Sequence, residues 1–305
     1  MEVATAEMLW DRSLNRGFRY TTMVSAGNSR TFNRLTEMKV YGDDIMIVKE
    51  ECVNHVAKRM GTALRKLTSQ TKKTGVTLGG RGDGKLKKET ITALCKYYDR
   101  AIRSHRDDLD GMENAVMASF YHVSSTDAEP QHDRCPQGKD SSCFFQKALA
   151  AGKQPGDHKG NISHRLCPEV AAVVKPVYVR LSDRALLSRC LRSATQNPNE
   201  SLHARVWAKC PKTGLVGLQR VLLATCLAVA EFNSGVKDTS AQLYGAMGMT
   251  AGPHLVASGE KADRKRLRQS LRQTESRTKE ARRAHRLYQS RAARAGAEDY
   301  APGAF

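Results

Sequence analysis

Long apolar runs are missing from this sequence. The longest, residues 221–232, falls short of the roughly 20 residues a helix needs to cross a bilayer. Aromatic residues are scarce at 6%, and mean hydropathy is −0.53, both of which argue against a membrane protein. The opening residues carry acids and no apolar core segment, so no secretory signal is read there. Acids are also few: 31 against 50 lysines and arginines, for a net charge of +19 and a pI near 9.8. A surplus of that size, clustered along the chain, points to phosphate-bearing partners and so to nucleic acid. Paired-cysteine motifs and internal repeats are absent too. The eight cysteines are scattered, as expected of buried thiols in a reducing compartment, and only Cys52, Cys135 and Cys143 have histidine neighbours worth weighing. These absences together predict a soluble intracellular protein.

What is present is enough for a sizeable core: 305 residues, 40% of them hydrophobic. Residues 3–15 read as a helix, 18–25 as a strand, 29–38 as a helix, 44–48 as a buried strand and 49–67 as a long basic helix. That alternation suggests parallel pairing of the two strands. Residues 68–85 read as a loop, 86–106 and 109–121 as helices, and 122–160 as a long irregular segment rich in Pro, Gly, His, Cys and Asp. A loop of that length should be functional, metal-tied or mobile. Residues 168–191 look helical with a break at Pro176; 200–209 and 214–233 are helical, the latter being the expected core helix. From residue 260 to 294 arginine and lysine dominate, which predicts a solvated, partly helical arm.

Four motifs carry chemistry. Cys52-x-x-His55 lies in the basic helix at a spacing that puts both side chains on one face, either bracing a site or simply half-buried. His122, His132, Cys135 and Cys143 offer nitrogen and sulfur donors in one irregular loop; they fit a tetrahedral structural zinc, although H-x9-H-x2-C-x7-C is not a standard finger spacing. Residues 79–86, Gly-Gly-Arg-Gly-Asp-Gly-Lys-Leu, come near a phosphate-binding loop but put Leu86 where the magnesium-binding hydroxyl belongs, and read as a flexible basic turn. Thr195-Gln-Asn-Pro-Asn-Glu-Ser-Leu-His203 places Glu200 in the opening turn of a helix that Asn197 can cap, with Pro198 at its first position.

Taken together, Arg19-Tyr-Thr-Thr-Met23, Thr31-Phe-Asn-Arg-Leu35, the run from Glu51 to Gly61, the His122-to-Cys143 loop and Thr195-to-Ser201 resemble the Mutator-like transposase domain of animal mobile elements. The C-terminal basic arm and the final residues 300–305 look similar to that family as well. The resemblance implies an RNase H-like fold that cuts and joins DNA with three carboxylates and two Mg²⁺ or Mn²⁺ ions. It implies that Glu200 matches the third acid and that Cys52 and His55 match a C-x-x-H element. Where the family carries Asp-Gly-Asp with the second acid, this sequence reads Ser25-Ala-Gly-Asn28-Ser29, and Asn28 is a poor magnesium ligand. The first acid would lie on a strand upstream of Met1, so the first strands of the sheet are expected to be missing and an edge exposed.

The resulting expectation is an α/β fold: a partial RNase H-like core (residues 1–68), a helical insertion with the His/Cys-rich loop (69–194), C-terminal helices of the core (195–258) and a basic helical arm (259–305). The function expected first is a catalytically inactive transposase remnant that binds DNA without sequence preference. Its phosphate contacts would come from Lys58, Arg59, Arg65, Lys66, Lys72 and Lys73, with Arg264, Lys265 and Arg266 of the arm. The alternatives are an active metal-dependent nuclease that borrows Asp43, Asp44 or a partner chain's acids, and a zinc-stabilised interaction module. DNA as partner implies the nucleus, otherwise the cytoplasm; a homo-oligomer stays open, and no membrane partner is expected.

Overall fold

The computed structural model describes residues 2–27, 29–71 and 77–274. Asn28, Lys72, Lys73 and the arm beyond residue 274, with residues 300–305, lie outside the described residues. The chain divides after Asn197 into two compact units, the first mostly helical around a small sheet and the second wholly helical in its described part.

The first unit opens with α1 (Glu2–Asn15), β1 (Thr22–Ser25), α2 (Ser29–Met38) and β2 (Val48–Glu51). The strands pair in parallel, Thr22 with Val48 through Ser25 with Glu51, which is the pairing that the strand–helix–strand order suggests. The second strand sits later than its apolar run implied. Glu50 and Glu51 read as the polar start of a helix, yet they form the buried end of β2 because arginines neutralise them: Arg192 Nη1 lies 2.9 Å from Glu50, and Arg59 Nη2 lies 2.6 Å from Glu51. Residues 45 and 47 instead line a small apolar cavity beside Leu35.

Four helices then build the core: α3 (Val53–Thr71), α4 (Lys88–Ser104), α5 (Leu109–Ser124) and, after α6 (Phe144–Ala150) and α7 (His158–Asn161), α8 (Pro168–Leu181). On α3, Val53, Val56, Met60 and Leu64 recur at helical spacing and are fully buried. They meet Leu94 and Tyr98 of α4, Met112 and Val116 of α5, and Val174 and Tyr178 of α8 in one cluster. Each such side chain contributes about 1.5–3 kcal/mol relative to exposure. The Tyr98 hydroxyl spends its polarity on Leu181 O at 2.9 Å, the last residue of α8. Pro176 does not break α8; the helix runs through it and a short α9 (Arg184–Ser188) follows.

The glycine-rich turn at residues 79–86 is not free. Leu86 N bonds Leu78 O at 2.8 Å, Cys167 N bonds Gly84 O at 3.0 Å, and Arg165 holds Asp83. Gly84 has φ +69°, and a Cβ there would come within 2.6 Å of Cys167 N, so only glycine fits.

In the second unit come α10 (Asn197–Lys209), α11 (Leu218–Ser234), α12 (Val236–Ala246) and α13 (Pro253–Thr274). The expected core helix, α11, buries only Ala224 and Ala228; Leu218, Leu222 and Leu223 remain exposed. Apolar content alone does not bury a helix when its described neighbours cover only the small-residue side. The unit's best-defined joint is Asp263 of α13, whose carboxylate accepts Val236 N at 2.9 Å and Lys237 N at 3.1 Å and so caps α12 from another helix. Burial pushes the Asp263 pKa up, but the two backbone donors outweigh it and leave the group below the usual carboxylate range. Asp263→Ala should therefore cost about 1 kcal/mol in the unfolding of this unit. The wild-type advantage should be complete above the unfolded aspartate pKa and fade as pH falls through the lowered folded value. Denaturant titrations of both proteins at neutral and acidic pH check this; a constant difference across pH would contradict it.

Among the described residues no helix is long and apolar enough to cross a membrane.

Candidate functional site

The sequence turns back on itself where α5 ends. His122 sits in the last turn of α5. The chain then loops out, and Cys135 N bonds His132 O at 3.0 Å, a tight turn that brings these two residues together. Ser141 Oγ receives Cys143 N at 3.1 Å, which sets Cys143 at the start of α6. Gln146 Nε2 holds His132 O at 2.9 Å.

The result is a cluster of His122, His132, Cys135 and Cys143 whose donor atoms all lie within 4.8 Å of one another. His132, Cys135 and Cys143 are buried, at 1%, 6% and 2% exposure. Cys135 Sγ is 3.6 Å from His122 Nδ1 and 3.7 Å from His132 Nδ1, and Cys143 Sγ is 3.4 Å from His132 Nδ1. A tetrahedron with Zn–S of about 2.3 Å and Zn–N of about 2.05 Å has an S···N edge of roughly 3.6 Å. The cluster can hold a metal ion such as zinc, and its soft sulfurs and imidazoles suit that ion rather than magnesium.

Electrostatics favour the same use. The hydrogen bond with Cys135 is the main force that draws the Cys143 pKa down to about 3; burial opposes it and His122 assists. Cys135 moves the other way, first through that shared bond and then through burial. The shared bond thus favours the anionic form at Cys143 over Cys135. Burial lowers the His132 pKa, which favours the neutral imidazole. An aromatic wall shields the group: Phe145 stacks on His132 with centroids 4.6 Å apart, and Phe144 meets the same ring edge-on at 5.4 Å.

Sequence reasoning missed two members of this neighbourhood. His158, 3% exposed, places Nε2 3.0 Å from His132 Nε2, and its Nδ1 lies 2.6 Å from Asp127 Oδ1. Both residues belong to the stretch already marked by its His, Cys and Asp content, but separations of 26 and 31 residues give no spacing signal.

At the carboxyl end of the sheet, Cys52 is fully buried and immediately precedes α3 rather than lying inside it. Its backbone N–H bonds Ser25 O at 3.0 Å, its carbonyl receives His55 N at 2.9 Å, and its Sγ accepts Gln196 N at 3.4 Å. Asn54 Nδ2 bonds Asn197 Oδ1 at 2.7 Å. Cys52 therefore ties β1, α3 and the start of the Thr195 motif together. Among the described residues, His55 Nδ1 is buried without a hydrogen-bond partner. Glu200, exposed in the first turn of α10, belongs to the second unit. Asp43 pairs with Lys39, and Asp44 is exposed.

Of the cations expected to meet phosphate, Lys58, Arg65 and Lys66 are exposed on α3. Arg59 is half-buried against Glu51, which is 3% exposed and has Arg189 farther off at 3.8 Å. Removing one side of such a pair strands the other. Arg59→Ala should cost about 3 kcal/mol in the stability of the first unit, measurable by chemical denaturation; a change under about 1 kcal/mol would show that Arg189 and water suffice. On α13, Lys261, Arg264, Lys265, Arg268 and Arg272 line one surface and are exposed. Arg266 departs from them, donating to Glu231 O at 3.0 Å on the inward side.

Residues 1–143 match the family model described as Mutator-like transposase. The match takes in both strands, the Cys52–His55 element and all four donors of the cluster, and it ends at Cys143. No curated protein and no solved structure matches the chain.

Proposed function

We propose that this transposase-derived chain is a DNA-binding protein that grips the phosphate backbone without cutting it, with a structural zinc at His122, His132, Cys135 and Cys143. The observation that carries the DNA reading is the basic face of α13. Its five cations lie on one side of a helix, while the nearby acids are engaged elsewhere: Glu260 with Lys237 at 3.0 Å and Asp263 with the start of α12. An uncompensated stripe of that kind, in a chain of net charge +19, attracts phosphate and releases counterions. A DNA partner makes the nucleus the expected compartment.

Loss of phosphodiester cleavage is supported by the carboxylates at the strand ends. The segment after β1 reads Ser25-Ala-Gly-Asn28-Ser29 and offers none. Glu50 and Glu51 at the end of β2 are buried and spent on arginines. Glu200 by itself carries too little charge to gather two divalent ions. Zinc would supply charge and cross-linking to the loop, and its four protein donors would leave no open coordination position for chemistry.

Affinity of the purified chain for random-sequence duplex should fall steeply as salt rises from about 50 to 200 mM, and linearly on a log–log plot. A flat response would remove the DNA reading. With Mn²⁺ and the same duplex no nicks should accumulate. Nicking that disappears in Glu200→Gln would restore the active-nuclease alternative.

A further inference from the structure

We propose that His158 and Asp127 are positioning residues for the metal cluster: together they fix the proton of His132 on Nε2 and so hold its Nδ1 lone pair toward the two cysteines. The inference rests on the zinc reading above and adds to it the residues that orient one ligand.

The argument follows the protons. His132 presents Nδ1 to Cys143 Sγ at 3.4 Å and Cys135 Sγ at 3.7 Å, and Nε2 to His158 Nε2 at 3.0 Å. Two imidazole nitrogens that close need exactly one proton between them. The far side of His158 decides which ring carries it. His158 Nδ1 lies 2.6 Å from Asp127 Oδ1, a carboxylate oxygen that can only accept while ionised. The same oxygen accepts His158 N at 2.8 Å, which locks the ring's position. His158 Nδ1 therefore carries a proton, and with a single proton on the ring its Nε2 lone pair faces inward. His132 Nε2 must then be the donor, and His132 Nδ1 is left bare. Reversing the chain would need either a lone pair of His158 against the carboxylate or a second proton on that ring, and in both cases would put the proton of a neutral His132 on the nitrogen facing the thiols.

Ser125 supports the same ring, with Oγ 3.1 Å from His132 Nε2 and accepting Gln131 N at 2.8 Å. His132, His158 and Ser125 are 1%, 3% and 0% exposed, so water is kept from the contacts around His132 Nε2, while the Asp127 carboxylate itself faces solvent. Phe144 meets both imidazoles edge-on, at 5.4 Å from each, and keeps them from turning. Partners that orient a ligating histidine in this way typically change metal affinity by ~10–100-fold when removed.

The test uses the 305-residue chain. Zinc affinity is measured by competition with a chromophoric chelator, and the ligand set is read from the visible bands of the Co²⁺-substituted protein. His158→Ala and Asp127→Ala should each weaken zinc by ~10–100-fold while the Co²⁺ bands keep the tetrahedral two-sulfur, two-nitrogen pattern. His158→Gln should recover part of the loss, since its carbonyl can accept from His132 Nε2. Unchanged affinity in His158→Ala overturns the proposal, and so does an altered band pattern, which would make His158 a ligand. Wild-type protein that takes up no metal at all sinks the zinc reading itself, a distinct result. Should a variant fail to fold, ¹⁵N-histidine spectra of the zinc-loaded wild type still decide: His132 protonated on Nε2 and His158 on Nδ1 sustain the proposal, and a proton on His132 Nδ1 defeats it.

Discussion

Chelating the zinc proposed at His122, His132, Cys135 and Cys143 should open residues 125–160 of this 305-residue chain while α3, α4, α5 and α8 stay packed. The reason lies in what each region buries. The four helices share a cluster that contains none of the metal donors. The loop has little of its own: α6 buries none of its residues, and the buried groups between residues 125 and 143 are almost all polar or sulfur-bearing, namely Ser125, His132, Cys135, Ser141 and Cys143. With so few apolar contacts, the proposed metal would offset the ordering entropy of the segment. Chelation should thus drop amide-exchange protection there by about 10³-fold, roughly 4 kcal/mol, and expose it to limited proteolysis. Cys143→Ser should do the same without chelator, because a hydroxyl does not replace the thiolate. Helical circular dichroism should fall only slightly in either case. Protection that survives chelation would mean that the hydrogen bonds around His132 hold the loop unaided, and the structural role of zinc would be lost.

How far the sequence foretold this differs from element to element, for physical reasons. Residues 29–38 were readable as a helix because its period is undisturbed by burial of charge. Residues 48–51 were not readable as a strand, since Glu50 and Glu51 are buried only by virtue of arginines 8 and 142 positions away. A local pattern cannot contain such a partner. The overestimate of α11 has the opposite origin: composition reports what a helix could bury, and the neighbours decide what it does bury. The four metal donors were legible as residue types in an irregular segment, while their convergence needed the turn at residues 132–135 and the end of α5. His158 and Asp127 were hidden by their distance along the chain. The Cys52–His55 pair was visible, but the bonds of Cys52 to Gln196 and of the neighbouring Asn54 to Asn197 join residues 144 and 143 positions apart and appear only in three dimensions.

The same limit governs the basic face, where the largest loss of binding is expected. A run such as Arg264-Lys-Arg266 looks like one unit in sequence, yet successive helical residues point about 100° apart, so Arg266 faces inward to Glu231 while Lys261, Arg264, Lys265, Arg268 and Arg272 share the outer side. Replacing those five by glutamine keeps helix propensity and removes the charge. Each phosphate contact contributes about 0.9 to the salt slope, so losing three to five should flatten it by roughly 3–4 and weaken random duplex by about 10²–10³-fold near 0.15 M salt. Arg266→Gln should instead leave the slope within experimental scatter, because its guanidinium serves a backbone carbonyl. Lys58, Arg65 and Lys66, exposed on α3, form the comparison set: if their triple glutamine variant takes the larger share of the slope, the DNA surface belongs to the first unit and the α13 stripe is only a solvated face. Affinity equal to wild type in both the five-site and the triple variant would place the +19 charge at the service of something other than a nucleic-acid backbone.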